Sequence, residues 1–536
     1  MQGPDQGKSP RLWIAVLATS LLYSLAQPPW SLWPLALVAA APAGSVLLDE
    51  SRRISPARAA VGGLLFGAAS TWMIAGYWSY LAAGEFSGSA LSALAFAIAL
   101  PLLASAVAVP YAIAFALISR LAGLGTLAAV AGSAALWSAA ELARSTIGYG
   151  NPWGSFAVAL APADYTLAAP GRIATPVAAL LAIGGPCTVA LVAAASGTAI
   201  AMAWNSRRSP LRASRALAAG AVVLALGAAS VAVLPLLPAR PDSAVPKQPL
   251  RVALVQGGVG GRSLWKADGA AASLAHHVEL TRSRETAGAD LIVWSESALP
   301  FLLDANADRK EEMKTLARER GAAILVGGSR SAPSPHGTTE VFNSAFLFPA
   351  DGSEPFVYDK RVLLPFVEKV PAWASFVLES PWRGAFAEGR GPELFTIKGW
   401  RIAPLICLES IYAGQAAERA ASGADLLVNL SNDSWFDSGA GPDQHFAQAA
   451  LAAAETRRPL VRVAMTGLSG LVTEDGQVAW TLPRRAPAVA LIDVPAPSRD
   501  SFFVRGGRIG IPFLVLAIAA AAALLPGLVR PDSRRL

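Results

Sequence analysis

The sequence predicts a multi-span α-helical membrane domain joined to an extracytoplasmic α/β domain, and this prediction rests on three observations. First, 54% of the 536 residues are hydrophobic, 15% are charged and the mean hydropathy is +0.44, so the chain is too apolar for an ordinary soluble protein. Second, a series of apolar stretches are each long enough, or nearly so, to cross a bilayer. Third, one polar block alternates strand-like runs with helical stretches.

The apolar stretches divide the chain into three parts. Seven precede the polar block and one follows it, at residues 12–26, 31–48, 59–82, 91–118, 122–140, 174–203, 216–237 and 509–528. We expect a membrane domain over residues 1–240 with seven transmembrane helices and a globular domain over 248–498. A C-terminal transmembrane helix and a cytoplasmic tail are expected over 505–536. The Pro-rich segment from Pro235 to Pro249 is expected to link the seventh span to the polar block.

Lysine and arginine orient these spans because loops rich in them stay in the cytoplasm. Alternate loops are basic and the others are poor in basic residues, so both chain termini are expected in the cytoplasm and the polar block outside. This distribution also accounts for the net charge of +7, and we expect no nucleic acid partner. The residues assigned to the cytoplasmic side are Lys8, Arg11, Arg52, Arg53, Arg58, Arg120, Arg207, Arg208, Arg212, Arg215, Arg530, Arg534 and Arg535.

The polar block has the pattern of a sheet core covered by helices. Its helical stretches lie near residues 269–287, 307–320, 411–422 and 443–456. Asp351-Gly352, Lys398-Gly399 and Asp475-Gly476 predict tight turns and therefore antiparallel hairpins. The expected strands are Arg251–Val255, Asp290–Trp294, Ala323–Gly327, Val341–Phe348, Arg401–Ile406, Asp425–Leu430 and Leu460–Val463.

Three chemically complementary residues follow strands of this block. Cys407 ends one strand, Glu296 ends another and Lys360 lies between them in order. A free thiol titrates near pH 8.5, so it needs a nearby base or cation to become a good nucleophile. Glu296 is the expected base, and the Lys360 ammonium can stabilise a tetrahedral oxyanion together with a backbone N–H after the nucleophile. This combination indicates covalent acyl transfer at a membrane surface.

Each of these residues also has a plainer interpretation in isolation. Cys407 could be a small buried residue, Glu296 a helix N-cap and Lys360 a solvated charge. Cys187, the second cysteine, lies in an apolar stretch and is expected to be an inert core residue. The histidines have no metal-ligand spacing, so we expect no metal and no cofactor. His276, His277 and His336 are expected on the surface, and His445 is expected to hydrogen-bond its local loop.

The motifs around these residues occur in an order that resembles a known family. Trp294-Ser295-Glu296-Ser297, Tyr358-Asp359-Lys360 through Leu364-Pro365-Phe366-Val367-Glu368, and Cys407-Leu408-Glu409 resemble the Glu-Lys-Cys pattern of the nitrilase, or carbon–nitrogen hydrolase, superfamily. Ser431-Asn432-Asp433-Ser434-Trp435-Phe436, Gly441-Pro442-Asp443-Gln444-His445-Phe446 and Asn151-Pro152-Trp153 narrow the match. With its membrane spans, the chain resembles the bacterial apolipoprotein N-acyltransferase family over nearly its full length.

The resemblance implies a fold, an activity and partners. The polar block would be a nitrilase-like αββα sandwich on the periplasmic side of the bacterial inner membrane. Cys407 would take an acyl chain from a membrane phospholipid as a thioester and pass it to the N-terminal amine of a diacylglyceryl-modified apolipoprotein. The resemblance adds Glu368 as a second carboxylate that positions Lys360 or the transferred proton. No nucleotide is needed because a thioester converts downhill to an amide.

Substrate contacts are expected from residues of the same motifs and from aromatic residues on long connections. Trp435, Leu408, Glu409 and Trp294 are expected to bind substrate. The candidates for lipid contact, each of which could equally be domain core, are Trp373, Phe376, Trp382, Phe386, Trp435 and Phe436. Two other functions remain open on the motifs alone. One is a membrane-tethered nitrilase-type amidase that uses water as acceptor, and the other is a scaffold that only binds lipoproteins.

Four positions depart from the family's usual pattern. Ser295 stands where the family normally has proline, Val367 where it has glycine, Leu408 where it has an aromatic residue and Met465 where it has asparagine. None of these changes removes a catalytic group. Val367 is expected to matter most, because valine excludes backbone conformations that glycine permits and could alter the loop that holds Glu368.

Overall fold

The N-terminal region is a bundle of apolar helices. The computed structural model describes residues 10–80, 106–147, 150–160, 175–238, 247–333, 339–365, 367–369, 386–391, 393–436 and 439–529. In this region the helices are α1 (Pro10–Leu25), α2 (Ala41–Leu47), α3 (Pro56–Thr71), α4 (Ala106–Arg120), α5 (Thr126–Thr146), α6 (Phe156–Leu160), α7 (Thr175–Gly184), α8 (Pro186–Asn205) and α9 (Pro210–Ala229). A π-helical turn at Trp72–Gly76 extends α3, and 3₁₀ turns lie at Trp33–Leu37 and Ser230–Leu236.

Among the described residues, five helical segments are long and apolar enough to cross a membrane. They are Pro56–Tyr80, Thr126–Thr146, Pro186–Asn205, Pro210–Leu236 and Phe503–Leu524. Shorter apolar segments are Pro10–Leu25, Trp33–Leu47 and Ala106–Arg120. All eight segments overlap the apolar stretches seen in the sequence, while residues 91–105 of the predicted fourth span lie outside the described part of the chain. The region is therefore a membrane domain of several helices, whose exact boundaries stay a prediction.

The predicted continuous span over residues 174–203 is wrong in one respect, because two helices occupy it. Helix α7 ends at Gly184 and α8 begins at Pro186, with Gly185 between them at φ 66°. Proline cannot continue the hydrogen-bond ladder of a preceding helix but suits the first position of a new one. A Cβ on Gly185 would also lie 2.5 Å from the ring of Phe503, so the break allows the C-terminal segment to pack closely.

In the described part of the C-terminal half, thirteen strands form two sheets. The first sheet has the order β13 (Ala488–Val494), β1 (Leu250–Gln256), β2 (Leu291–Trp294), β4 (Ala323–Pro333), β5 (Thr339–Phe348) and β6 (Phe356–Asp359), with β3 (Leu299–Leu302) beside β4. The second has the order β12 (Val478–Thr481), β11 (Gly470–Val472), β10 (Leu460–Ala464), β9 (Leu426–Ser431), β8 (Trp400–Ile406) and β7 (Phe395–Ile397). Each sheet has a parallel centre, β1-β2-β4 and β8-β9-β10, flanked by antiparallel strands.

The two sheets pack face to face and helices cover their outer faces. Val252 and Leu254 of β1 share one buried cluster with Val428 and Leu430 of β9, which places these side chains between the sheets. The alternate residues of β1 pack against α10 (Ala267–Arg282) and α11 (Ala307–Arg320). Helices α12 (Ala413–Ala421) and α13 (Gly441–Thr456) cover the second sheet. The expected αββα sandwich is therefore confirmed.

Local sequence signals account for the hairpins of this sandwich. Gly352, Gly399 and Gly476 all have positive φ, at 74°, 79° and 75°, and each lies in the turn between paired antiparallel strands. Glycine adopts this left-handed region without the steric clash that a Cβ creates, so the three predicted tight turns are confirmed.

Helix α13 joins the sandwich to the membrane domain. Nearly every residue from Gly441 to Thr456 is buried, because the helix lies between the second sheet and α7. The last helix, α14 (Arg508–Val529), returns to the bundle and packs against α5, where a Cβ on Gly132 would lie 3.0 Å from Ala522. The two halves share one continuous apolar core, so the site on the sandwich is built against the membrane helices.

Candidate active site

Three strand ends bring the predicted catalytic residues together. Glu296 follows β2, Lys360 follows β6 and Cys407 follows β8. Lys360 Nζ lies 3.2 Å from Glu296 Oε1 and 2.9 Å from Glu368 Oε2, so one ammonium bridges two carboxylates. All four side chains are buried, with Lys360 1% exposed and Cys407 5% exposed. These charges therefore interact with little screening by water.

A fifth residue of the site, Asn343, was missed in the sequence. Its Nδ2 donates to Glu296 Oε1 at 2.8 Å and to Glu368 Oε1 at 2.7 Å, and its carbonyl accepts from the Lys360 N–H at 2.8 Å. Asn343 lies inside strand β5, where a polar side chain in an otherwise apolar run was the available signal. It holds the two carboxylates and the lysine backbone in one arrangement.

The electrostatics of the site favour a protonated thiol at rest. Burial raises the pKa of the Cys407 thiol well above its ordinary range, and the nearby Glu296 raises it further. Burial also raises the pKa of Glu296, with Lys360 opposing and Glu368 reinforcing the shift. Burial alone would lower the pKa of Lys360, but the carboxylates of Glu296 and Glu368 outweigh it and hold that pKa above its ordinary value. Lys360 is therefore a permanent cation, and Glu296 is a base with enhanced proton affinity.

The backbone of Cys407 has a conformation that non-glycine residues rarely adopt. Its φ is 51°, and Ser297 after Glu296 has φ 58°. A Cβ on Gly327 of the neighbouring strand would lie 2.5 Å from the Glu296 Cα, so only glycine lets β4 approach this turn. Cys407 opens a 3₁₀ turn, Cys407–Ile411, in which the first N–H groups have no acceptor within the turn. The turn thus presents the thiol together with the N–H of Leu408.

Glu409 ties the cysteine turn to the lysine loop. One carboxylate oxygen accepts from the Tyr358 hydroxyl at 2.6 Å and from the Arg361 N–H at 2.8 Å. The other oxygen accepts from the Ile406 N–H at 2.8 Å and lies 3.4 Å from Arg419. Since Ile406 precedes Cys407 and Arg361 follows Lys360, this buried carboxylate holds the cysteine turn and the lysine loop together.

The residues predicted to bind substrate occupy different environments. Trp294 is fully buried, and its Nε1–H donates to Thr281 Oγ1 at 2.9 Å. Leu408 is buried against the core between the sheets, and Trp435 lies in the 3₁₀ turn Asp433–Phe436 after β9. Substrate binding by these four residues stays a prediction. Phe386 is buried, while Trp373, Phe376 and Trp382 lie outside the described residues.

The loop that holds Glu368 accommodates the departure at Val367. Glu368 Oε2 accepts from the Leu364 N–H at 2.7 Å, and the Glu368 N–H donates to the Leu364 carbonyl at 2.9 Å. Val367 donates to the same carbonyl at 3.3 Å and is not among the described non-glycine residues with positive φ. Valine therefore meets no backbone conflict here, and Glu368 still reaches Lys360.

A second buried network lies beneath the nucleophile. Arg462 Nη2 is 2.9 Å from both carboxylate oxygens of Asp433 and 3.0 Å from His445 Nδ1. His445 Nε2 lies 3.2 Å from the Cys407 carbonyl, which also accepts from Asn429 Nδ2 at 3.2 Å. Burial opposes ionisation of Asp433, but the Arg462 guanidinium and His445 hold its pKa well below the usual range. His445 was expected to hydrogen-bond its local loop, but its partners Asp433, Arg462 and Cys407 belong to other elements.

The membrane domain contacts this part of the sandwich through the connections 27–30 and 141–172, which are expected outside the cytoplasm, and through Ile74 within the third predicted span. Gln444 Nε2 donates to the carbonyls of Pro28 at 2.8 Å and Ile74 at 2.9 Å. Trp153, from the Asn-Pro-Trp motif, has its ring centroid 5.8 Å from that of His445. The Tyr412 hydroxyl lies 3.4 Å from the Gly150 carbonyl.

Of the three histidines expected on the surface, two lie within the described residues. His277 is fully buried, so its assignment to the surface was wrong, and His276 is partly buried. His336 lies outside the described residues. Within the described part of the chain, no group of three or more His, Cys, Asp or Glu residues is placed to hold a metal ion.

Comparisons with known proteins cover both halves of the chain. The carbon–nitrogen hydrolase family model matches residues 251–501, and the apolipoprotein N-acyltransferase N-terminal domain model matches residues 19–199. A protein named apolipoprotein N-acyltransferase from Azotobacter vinelandii is 32% identical over 89% of this chain and 88% of its own length. A protein of the same name from Pseudomonas syringae pv. tomato is 31% identical over 88% of each chain. Among solved structures, a mutant amidase from Nesterenkonia sp. AN1 is 17% identical, with a TM-score of 0.35 over 49% of this chain and 98% of that chain.

Proposed function

Because the chain belongs to the apolipoprotein N-acyltransferase family, we propose that it is the enzyme that acylates the N-terminal amine of apolipoproteins through a thioester on Cys407. The observation that carries the mechanism is the buried Lys360, bridging Glu296 and Glu368 within electrostatic reach of the Cys407 thiol. This arrangement supplies a nucleophile, a base and a fixed cation in one closed site.

The first step forms the acyl-enzyme. As the Cys407 sulfur attacks the ester carbonyl of a phospholipid, Glu296 takes the thiol proton. Lys360 and the Leu408 N–H stabilise the oxyanion that forms on the former carbonyl oxygen. Collapse of this intermediate breaks the ester C–O bond, and the departing lysophospholipid alkoxide receives the proton from Glu296. The acyl chain is then a thioester on Cys407.

The second step transfers the chain to nitrogen. The amine of a diacylglyceryl-modified N-terminal cysteine attacks the thioester carbonyl, and Glu296 accepts a proton from that amine. The same oxyanion site serves this intermediate. Breakage of the C–S bond releases the Cys407 thiolate, which recovers its proton from Glu296. An amide replaces the thioester, so the step is downhill without a nucleotide.

The membrane domain gives both substrates access to this site. Each substrate carries acyl chains, whose transfer into water costs about 0.8 kcal/mol per CH₂ group. A site built against apolar helices avoids that cost. We place the sandwich on the periplasmic side of the inner membrane, because basic loops assign the opposite side to the cytoplasm. The contacts of the sandwich with Pro28, Gly150 and Trp153 support this placement, since these residues lie in the connections 27–30 and 141–172, which are poor in basic residues and expected outside the cytoplasm.

A labelling experiment tests the proposal. The purified full chain is incubated with acyl-labelled phospholipid, with and without a diacylglyceryl-peptide. We expect a hydroxylamine-sensitive label on the protein that passes to the peptide. Cys407→Ala should abolish the label, whereas the matched control Cys187→Ala should retain it, because Cys187 lies in α8. Release of free fatty acid without transfer to peptide would identify an amidase-type hydrolase, and full labelling of Cys407→Ala would refute the thioester mechanism.

A further inference from the structure

We propose that His445 is a positioning residue that holds the Cys407 carbonyl through its Nε2–H and links the nucleophile to Trp153 of the membrane domain. This inference rests on the proposed role of Cys407 as nucleophile. It concerns a histidine that takes no proton in the reaction and touches neither Glu296 nor Lys360 in the described contacts. Its action is on the backbone of the reacting residue.

The Cys407 backbone needs such support because its left-handed conformation is unfavourable for a residue with a Cβ. Three donors converge on the Cys407 carbonyl: the Ser410 hydroxyl at 3.0 Å, Asn429 Nδ2 at 3.2 Å and His445 Nε2 at 3.2 Å. The Ser410 bond lies within the 3₁₀ turn, whereas the other two come from β9 and α13. Elements distant in sequence therefore determine where the sulfur points.

The hydrogen-bond partners assign the tautomer of His445. The Cys407 carbonyl can only accept, so His445 Nε2, which lies 3.2 Å from it, carries a ring proton. His445 Nδ1 lies 3.0 Å from both Arg462 Nη2, which can only donate, and Asp433 Oδ1, which can only accept. Burial, reinforced by Arg462, lowers the pKa of His445 despite the opposing charge of Asp433, which keeps the ring neutral. A neutral ring with its proton on Nε2 accepts from Arg462 at Nδ1 and donates to the Cys407 carbonyl. With both ring nitrogens engaged, His445 is unsuited to act as the general acid or base.

The position of His445 is in turn set by the membrane domain. The preceding residue, Gln444, is fixed by the carbonyls of Pro28 and Ile74 and by the Trp78 indole N–H at 3.3 Å. The Trp153 ring packs beside the imidazole, and the Trp153 carbonyl accepts from Arg144 Nη1 at 2.6 Å. Two consecutive residues at the start of α13 therefore connect the membrane helices to the nucleophile. A shift of these helices would move the imidazole and hence the Cys407 carbonyl.

The test compares His445→Gln and His445→Asn in the full-length chain, because each amide side chain can replace one of the two ring nitrogens. Gln in place of His445 can put an N–H donor where Nε2 lies. Asn can satisfy Arg462 at the Nδ1 position but is too short to reach the Cys407 carbonyl. At saturating acyl-labelled phospholipid, His445→Asn should slow thioester formation about ten- to hundredfold with little change in donor KM, and His445→Gln should stay within a few-fold of wild type. His276→Leu is the matched control, since His276 also bonds a backbone carbonyl, that of Gly257, at 3.0 Å.

The link to the membrane domain is tested by a double-mutant cycle. Trp153→Leu should slow thioester formation in the wild-type background and add little in the His445→Asn background, because both changes act on one contact. Wild-type rates in His445→Asn, or equal losses in the Asn and Gln variants, would overturn the positioning role. Additive losses would overturn the link. A wild-type chain that forms no label on Cys407 would instead refute the proposed function on which this inference rests.

Discussion

Replacing Lys360 with methionine should damage both the stability and the chemistry of the site, and a second substitution should separate these effects. The ammonium lies 3.2 Å from Glu296 and 2.9 Å from Glu368, and all three side chains are buried. Removing one partner from a buried charge network costs about 3–5 kcal/mol. For a domain of this size each kcal/mol lowers Tm by roughly 2–4 °C, so the fall should be on the order of 10 °C.

The second substitution, Glu368→Gln, removes one of the two carboxylates that Lys360→Met leaves without their cation and thereby ends the repulsion between them. The double variant should therefore recover most of the lost Tm, because Asn343 then bridges one carboxylate and one amide. It should not recover thioester formation, since the oxyanion still lacks its cation and loses roughly 10²–10³ in rate. Stability is measured by thermal unfolding and chemistry by the rate of labelling from acyl-labelled phospholipid.

The pH dependence of the single variant gives an independent check. Without the ammonium, the two buried carboxylates repel each other, and the pKa of one of them rises. The folded state then binds more protons than the unfolded state above the ordinary carboxyl pKa, so lowering the pH should reduce the Tm deficit of Lys360→Met. A double variant as unstable as the single variant, or a single variant that forms thioester at the wild-type rate, would refute the reasoning.

Three further predictions concern the two carboxylates, the pH profile and the topology. Glu296→Gln should suppress thioester formation, whereas Glu368→Gln should slow turnover but leave a detectable acyl-enzyme without acceptor; the reverse pattern would mean that the base is Glu368. Burial raises the pKa of Glu296 although the charge of Lys360 opposes the shift. The rate of thioester formation should therefore fall with decreasing pH at a pH above about 4.3, the ordinary pKa of a glutamate side chain. A fall that begins only below that pH would contradict this prediction. A reporter active only outside the cytoplasm should be active when fused after Pro249 and silent after Arg212; the opposite activities would reverse the topology.

The positions of the proposed catalytic residues could be predicted because local sequence determines strand ends. Buried parallel strands appear as short apolar runs, and the residues that follow them lie at strand ends. Glu296 follows β2 after Ser295, Cys407 follows β8, and Lys360 follows the edge strand β6. Because β2 and β6 belong to the first sheet and β8 to the second, the three residues meet across the sandwich and not at one edge of a single sheet, which the local sequence did not indicate. The turns at Gly352, Gly399 and Gly476 could also be predicted from local sequence, because glycine adopts the positive φ that each turn requires.

Other features depend on pairing between distant segments and could not be predicted in this way. Asn343 joins Glu296 and Glu368 only because β5 pairs with both β4 and β6. The fully buried His277 was expected on the surface because its sequence neighbours do not reveal Ser295, which lies against its Nε2 from another segment. The helix break at Gly185 did have a local signal, the Gly-Gly-Pro run, which the apolar character of the surrounding stretch concealed.

Two departures from the family pattern prove to be one structural feature. The Ser295 hydroxyl lies 3.6 Å from Met465 Sδ and 3.4 Å from His277 Nε2. His277 Nδ1 lies 2.7 Å from the Ser273 carbonyl and must donate to it, so Nε2 is free to accept from Ser295. Burial lowers the pKa of His277 to about 4, which keeps this ring neutral. The two changed side chains thus contact each other, and Ser295 also bonds helix α10, while Glu296 keeps its bonds to Lys360 and Asn343. They therefore alter the surroundings of the proposed base without altering the proposed reacting groups.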